Sequence, residues 1–405
     1  MTDVQDKAVS AREQSDEALE RFADGFAVLP RSPVLYSPSD YGLEYEDVSF
    51  PARDGVPLDG WFIPAPGSGK LIIANHPMGF SRSGMPADLQ PWNAIWGPSG
   101  NGFAVNLMPD YKILHDAGYN VLAYDLRNHG LSSAANGGVT TSGVTESRDV
   151  AGSLEYARTR PETRDMAIGL FSRCMGAGST FSAMTRWPAS FDGVRCLVAP
   201  QPVTPMVIVG HRLAVMGFGD RLDEFNTMVR LRTSVGLEQR VPVEWARNVR
   251  VPAFLYQVRR DSVTDPSDVQ SMFDNIPVAE KKLQWIDGTT ARFDGYLEFQ
   301  RRPEPMLDWS RSTWRDVARS AVTSVNGSGH RLQAQSASSD PGTHAYAEPL
   351  TRCDFDQARN CRPACPSRRI GRQADPACAG ALSSSTTRCI AATAQPPAAE
   401  RKVHV

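Results

Sequence analysis

Apolar positions along the chain fall into two alternating rhythms. Short runs recur at YEDVSF (45–50), PLDGWFIP (57–64), LIIAN (71–75), NVLAYD (120–125), MAIGLF (166–171), VRCLVA (194–199), AFLYQV (253–258) and KLQWI (282–286). Such runs are too short for helices, and the continuous ones suit strands buried on both faces. Between them lie segments of helical texture, around Tyr111 to Ala117, Thr145 to Thr159, Met175 to Met184 and Pro266 to Asn275. Asp265 before Pro266 supplies an N-cap and a first-turn proline for the last of these. Strands alternating with helices predict an α/β fold with a doubly wound, mostly parallel sheet, whose ligands meet the carboxyl ends of the strands.

Two stretches break the alternation and predict coverings over a site. Residues 80–109 are rich in Gly, Pro and Trp, and 204–248 read as a helical cap insertion. Within the insertion, MVIVGHRLAVMGFG (206–219) offers apolar surface for an acyl or aromatic group, although a plain core helix is the leading reading of it. Ahead of the sheet, Val4, Val9, Leu19, Phe22, Phe26 and Val28 predict an amphipathic helix in a 1–40 extension, packed on the 41–325 domain in a structural role. From Asn326 the periodicity ends and Ala, Ser, Pro, Arg and Cys dominate, so 326–405 is expected to be a disordered tail. A zinc site from Cys361 and Cys365 with His330 and His344 is the alternative there, but no second close pair completes it.

Charge narrows the partners. With 43 Lys+Arg against 45 Asp+Glu and a net charge of −2, nothing in the balance attracts a phosphate backbone, and nucleic acid is not expected. The N-terminal segment lacks a secretory pattern and no run reaches a membrane-spanning length, which predicts a cytoplasmic chain without membrane association. Seven cysteines, an odd number, argue against a disulfide framework. Neither G-x-G-x-x-G nor a P-loop occurs, so no cofactor and no metal is expected.

Candidate chemistry centres on Ile168-Gly-Leu-Phe-Ser-Arg-Cys-Met-Gly-Ala-Gly178, a strand, a small-residue turn and a helix. Small neighbours at Ser172 and Gly176 are what a strained nucleophile turn requires around its central residue, here Cys174. A helix N-terminus and adjacent Arg173 would favour the thiolate. Cys196, mid-strand, reads as a buried small hydrophobe.

From these segments the chain resembles the α/β-hydrolase superfamily across roughly residues 45–322. LIIANHPMG resembles that family's strand and oxyanion loop, and LHDAGYNVLAYDLRNHGLS its next helix, strand and turn. SRCMGA resembles its nucleophile elbow, and VPAFLYQVRRDSVTDPSD the strand presenting the acidic triad member. A cysteine at the elbow is similar to dienelactone hydrolases. The resemblance implies a hydrolase that opens an ester, lactone or thioester of a small molecule with an apolar portion. Cys174 would be the nucleophile, Asp261 the acid, and the Met175 N–H one oxyanion donor. Pro77 has no N–H, so Met78 or Gly79 must supply the second.

The family's catalytic histidine follows the last strand, where this chain has Asp287-Gly-Thr-Thr-Ala-Arg-Phe-Asp294. The expected base position therefore falls at Thr290, Ala291 or Arg292. Three readings stay open: His76 or His129 substitutes from a loop leaving the sheet's carboxyl edge; His330 folds back; or the thiol acts without a dedicated base. A member of the fold that binds a carbonyl compound without catalysis, or an acyltransferase or lyase using the same thiol, are the alternatives to a hydrolase.

Overall fold

The computed structural model describes residues 2–314. The readings made for 326–405, and those for His330 and His344, lie outside the described residues.

The eight predicted strands all form. They are β1 (Glu46–Pro51), β2 (Pro57–Ile63), β3 (Lys70–Asn75), β4 (Asn120–Tyr124), β5 (Ala167–Ser172), β6 (Val194–Pro200), β7 (Ala253–Val258) and β8 (Lys281–Ile286). They build one sheet in the order β1-β2-β4-β3-β5-β6-β7-β8. β1 and β2 pair antiparallel, β2 meets β4 antiparallel, and from β4 to β8 every pairing is parallel. Chain order reverses around central β3, which is the switch point where α/β sheets place their ligands.

The continuous apolar runs follow from burial on both faces. Leu71 and Ile73 of β3, Leu122 and Tyr124 of β4, and Ala253 and Leu255 of β7 join one core layer; Ile72, Val121, Ala123, Phe254 and Tyr256 join the other. The first layer lies under α3 (Ser147–Thr159), α4 (Met175–Arg186) and α7 (Pro266–Asn275); the second lies under α2 (Met108–Asp116) and α8 (Arg292–Arg301). Cys196 points into the second side fully buried, and burial pushes its thiol up to about 11, as fits a packing residue.

A third apolar cluster stands above the sheet. α1 (Thr2–Ala27) contributes Leu19, Ala23 and Phe26; α5 (Pro205–Val215) contributes Val209 and Leu213; α6 (Leu222–Thr233) contributes Phe225 and Val229. The Phe22 and Phe225 rings lie 4.6 Å apart. The helix at the start of the chain is thus part of the covering formed by the 204–248 insertion. The root of that covering is fixed by Asp268, whose carboxylate accepts from the Thr204 N–H at 2.8 Å and the Thr204 hydroxyl at 2.6 Å. Asp265 occupies the N-cap position of α7 with Pro266 behind it, but its side chain makes no capping bond and instead meets His211 Nε2 at 3.1 Å. Among the described residues no helix is long and apolar enough to cross a membrane.

Candidate active site

β5 runs through Arg173 into Cys174, and α4 begins at Met175. Cys174 adopts φ 52° and ψ −111°, a conformation that costs a non-glycine residue free energy and persists only where its surroundings impose it. The surroundings are visible: the Cys174 N–H donates to the Pro200 carbonyl at 2.9 Å and the Arg173 N–H to the Asn75 carbonyl at 2.9 Å. Room for the turn comes from Gly176, where a Cβ would stand 2.8 Å from both the carbonyl oxygen and the Cβ of Asn75. Gly176→Ala is therefore expected to lower stability by about 1–3 kcal/mol. Urea unfolding measures it, and an unchanged midpoint would mean that the elbow relaxes freely.

Arg173 does not serve the sulfur. Its guanidinium is buried beneath the sheet, paired with Asp110 and 3.6 Å from the centre of the Phe171 ring. Both residues lie beyond the end of β5 at Ser172, and the Asp110 carboxylate, not the sulfur, takes up the Arg173 charge.

Asp261 follows β7 and is held on three sides. Oδ2 accepts from Arg292 Nη1 at 2.5 Å and Gln257 Nε2 at 2.8 Å, and Oδ1 accepts from the Val263 N–H at 3.0 Å. Arg292, the first residue of α8, thus occupies the place where a histidine was expected. Its Nε donates to the Tyr296 hydroxyl at 3.1 Å and its Nη2 to the Gln201 carbonyl. The Gln201 amide returns a bond to the Arg292 carbonyl at 3.2 Å, and a Cβ at Gly295 would fall 1.4 Å from Gln201 Nε2, so a larger residue there would displace that amide.

Arg292 and Tyr296 also face the Cys174 thiol. Burial alone would lower the Arg292 guanidinium, but Tyr296, Asp261 and Cys174 around it outweigh that and hold it well above its ordinary value. Burial drives the Tyr296 phenol well above its ordinary value, with the nearby Cys174 adding to it and Arg292 opposing, so the hydroxyl keeps its proton.

The two candidate histidines stand together, ring centres 5.1 Å apart. His76 Nδ1 donates to the Pro77 carbonyl at 2.7 Å while Nε2 accepts from the Leu126 N–H at 2.9 Å, which occupies both nitrogens. His129 Nδ1 donates to the Arg127 carbonyl at 2.8 Å. Burial pushes both imidazoles down, and His129 pushes His76 further. Among the described residues neither ring hydrogen-bonds Cys174 or Asp261. Their bonds hold the loops after β3 and β4 in shape.

Two of the expected oxyanion donors, Met175 and Met78, lie around the same point. Met175 opens α4, and the first N–H groups of a helix have no partner within it. Met78 and Met175 line, with Cys174, a recess of about 20 Å³. Gly79 adopts φ 79°, the left-handed turn that glycine takes without strain. The recess shares Phe26, Met78 and Ile208 with a cleft of about 760 Å³ under α1 and α5; the cleft itself does not reach Cys174.

This sheet order, with a strained turn after β5, is the α/β-hydrolase fold, and solved structures agree. The Pyrococcus furiosus esterase Pf2001 superposes in two crystal forms with TM-scores of 0.51 and 0.53 at 23% and 22% identity, covering 71% and 72% of this chain and 98% of the esterase. At that identity the likeness shows the fold alone. Among curated proteins, the uncharacterized protein YfhR of Escherichia coli strain K12 is 24% identical over 204 residues, which is 50% of this chain. That match spans 62% of the length of YfhR. No family model matches.

Tyr296, Gln201 and Gln257 carry no signal in the sequence, because each acts only through the position of Arg292 or Asp261. The absence of histidine after β8 was the legible signal.

Proposed function

We propose that the protein transfers acyl groups through Cys174, cleaving a carboxylic ester, lactone or thioester that has an apolar portion. The observation that carries this reading is the position of Cys174: strained in an elbow, at the end of an apolar recess, opposite the Arg292–Asp261 pair. A fixed guanidinium is the counter-charge a thiolate needs, and the Arg292 bond to the Tyr296 oxygen leaves the phenol proton free to be donated. The sulfur attacks the carbonyl carbon. Negative charge develops on the carbonyl oxygen between the Met175 N–H and that of Met78 or Gly79, and the alcohol or thiol departs to leave an acyl-thioester on Cys174.

Water must then attack the thioester. A guanidinium carries five donors and no acceptor, so Arg292 cannot take the proton from water. Of the three sequence readings, the one without a dedicated base fits this geometry, with Arg292 in the part first given to Arg173. With p-nitrophenyl hexanoate, wild type is expected to release a stoichiometric burst of nitrophenol and then turn over slowly. A hexanoyl adduct should map to Cys174, and Cys174→Ala should lose both burst and adduct. Thiol or amine acceptors should accelerate the slow phase, which separates transfer from hydrolysis.

A binding protein of the same fold is the second reading, favoured by the complete engagement of Arg292. Folded wild type that gives neither burst nor adduct would establish it in place of the first.

A further inference from the structure

The cleft above the recess is built from one face of each of two helices. On α1 the lining residues are Ala18, Arg21, Phe22 and Gly25, and on α5 they are Ile208, His211, Arg212 and Val215. Both sets follow the i, i+3, i+4, i+7 spacing of a single helical face. Each helix already buries another set, Leu19 and Ala23 on α1, Val209 and Leu213 on α5, in the cap core. The cleft faces are thus a second, unpartnered surface, rather than a by-product of core packing.

Its composition is one-sided. The walls are mostly apolar, with Phe22, Trp96, Ile208 and Val263 among them, while every charged or titratable side chain in the lining is basic: Arg21, His211 and Arg212. No carboxylate lines it. Asp265 and Glu17 reach two of these groups from outside the lining, Asp265 at 3.1 Å from His211 and Glu17 at 3.4 Å from Arg21 on the exposed face of α1. Arg212 forms no ion pair among the described residues. The volume of about 760 Å³ lies in the range of sites that enclose a small molecule.

Position adds the third constraint. Phe26, Met78 and Ile208 form the end shared with the Cys174 recess. Arg21 lies five residues from Phe26 and Arg212 four from Ile208, about 6–8 Å along the helix axes. An occupant with a carbonyl in the recess and a chain across Phe22 and Trp96 would set a further polar group among the arginines.

We infer that this cleft binds an amphiphilic anion, an apolar chain whose carboxylate or phosphate is held by Arg21 and Arg212 at the end remote from Cys174. That such a molecule is the acyl substrate rests on the Cys174 reading above; that it binds does not.

The test is calorimetric titration of the full-length protein with decanoate, decyl phosphate and decanol, using wild type, Cys174→Ala, Arg21→Gln/Arg212→Gln and Ala18→Trp. Wild type is expected to bind at least one anion more tightly than decanol, and Cys174→Ala to match wild type. The double glutamine variant should lose about five- to tenfold in anion affinity with decanol unchanged, and the loss should shrink at high salt. Ala18→Trp, which fills the cleft, should weaken all three. A preference between decanoate and decyl phosphate names the head group. Equal affinity for anions and decanol, no binding at all, or indifference to the glutamine pair in folded protein would overturn the inference. Failure of the ester burst with this binding intact would overturn the catalytic reading alone.

Discussion

Arg292→His is expected to turn the proposed slow acyl-transfer site into one that turns over, raising steady-state ester hydrolysis about 10²-fold or more, with the acylation burst kept because an imidazole that takes the Cys174 proton becomes the counter-charge in place of the guanidinium. The effect follows from what the side chain at 292 touches. It bonds Asp261 on one side and faces Cys174 on the other, the span that a general base must bridge. A neutral imidazole there would accept a proton from water attacking the thioester, a contribution of about 10²–10⁴-fold. Asp261, already oriented by Gln257 and the Val263 N–H, would fix the ring by accepting from its other nitrogen. The variant leaves the Tyr296 and Gln201 bonds to Arg292 unmade, which costs stability, so its fold must be checked by circular dichroism. Stopped-flow release of p-nitrophenol gives burst and turnover separately. An unchanged turnover rate in a folded variant would show that deacylation is not limited by a missing base, and the reading of Arg292 as a counter-charge would fall with it.

The central strands of this fold are legible because they lie buried on both faces, which forces runs such as LIIAN and AFLYQV that polar loops cannot imitate. The elbow is legible too, since close approach of Gly176 to Asn75 demands a small residue at that offset. The role of α1 was not. Its apolar positions show that a face is buried, but Phe26 belongs both to the cap core and to the cleft, and no local pattern says which surface a terminal helix covers. Arg173 misled through adjacency along the chain, because its charge is taken up by Asp110. His76 and His129 were placed correctly on loops at the sheet's carboxyl edge. Their engagement with backbone groups at Pro77, Leu126 and Arg127 depends on tertiary geometry that residue type does not encode. The missing histidine could be read directly, yet what Arg292 does required Gln201 and Gly295, some 90 residues apart in sequence and in contact in the fold.

Removing the Asp261 carboxylate should expose how much of the site depends on that arginine. Asp261 and Arg292 have side chains only 1% exposed, and truncating one partner of such a pair leaves the other charge buried without compensation. Asp261→Ala is expected to lose about 3–5 kcal/mol of folding stability. The remaining bonds from Arg292 to Tyr296 and Gln201 satisfy donors but supply no negative charge. Asp261→Leu/Arg292→Met, which replaces both by apolar groups of similar bulk, should recover part of that loss. The recovery would be incomplete because the Gln201 carbonyl and Tyr296 oxygen lose their donor. Urea unfolding of wild type, Asp261→Leu, Arg292→Met and the double variant yields the coupling directly. The double variant should also be unable to form the hexanoyl adduct at the wild-type rate, since the sulfur then faces no cation. A loss below about 1 kcal/mol for Asp261→Ala would show that the pair behaves as an exposed one. In that case Arg292 would be free to swing away from Cys174, and the site would have neither a base nor a fixed counter-charge.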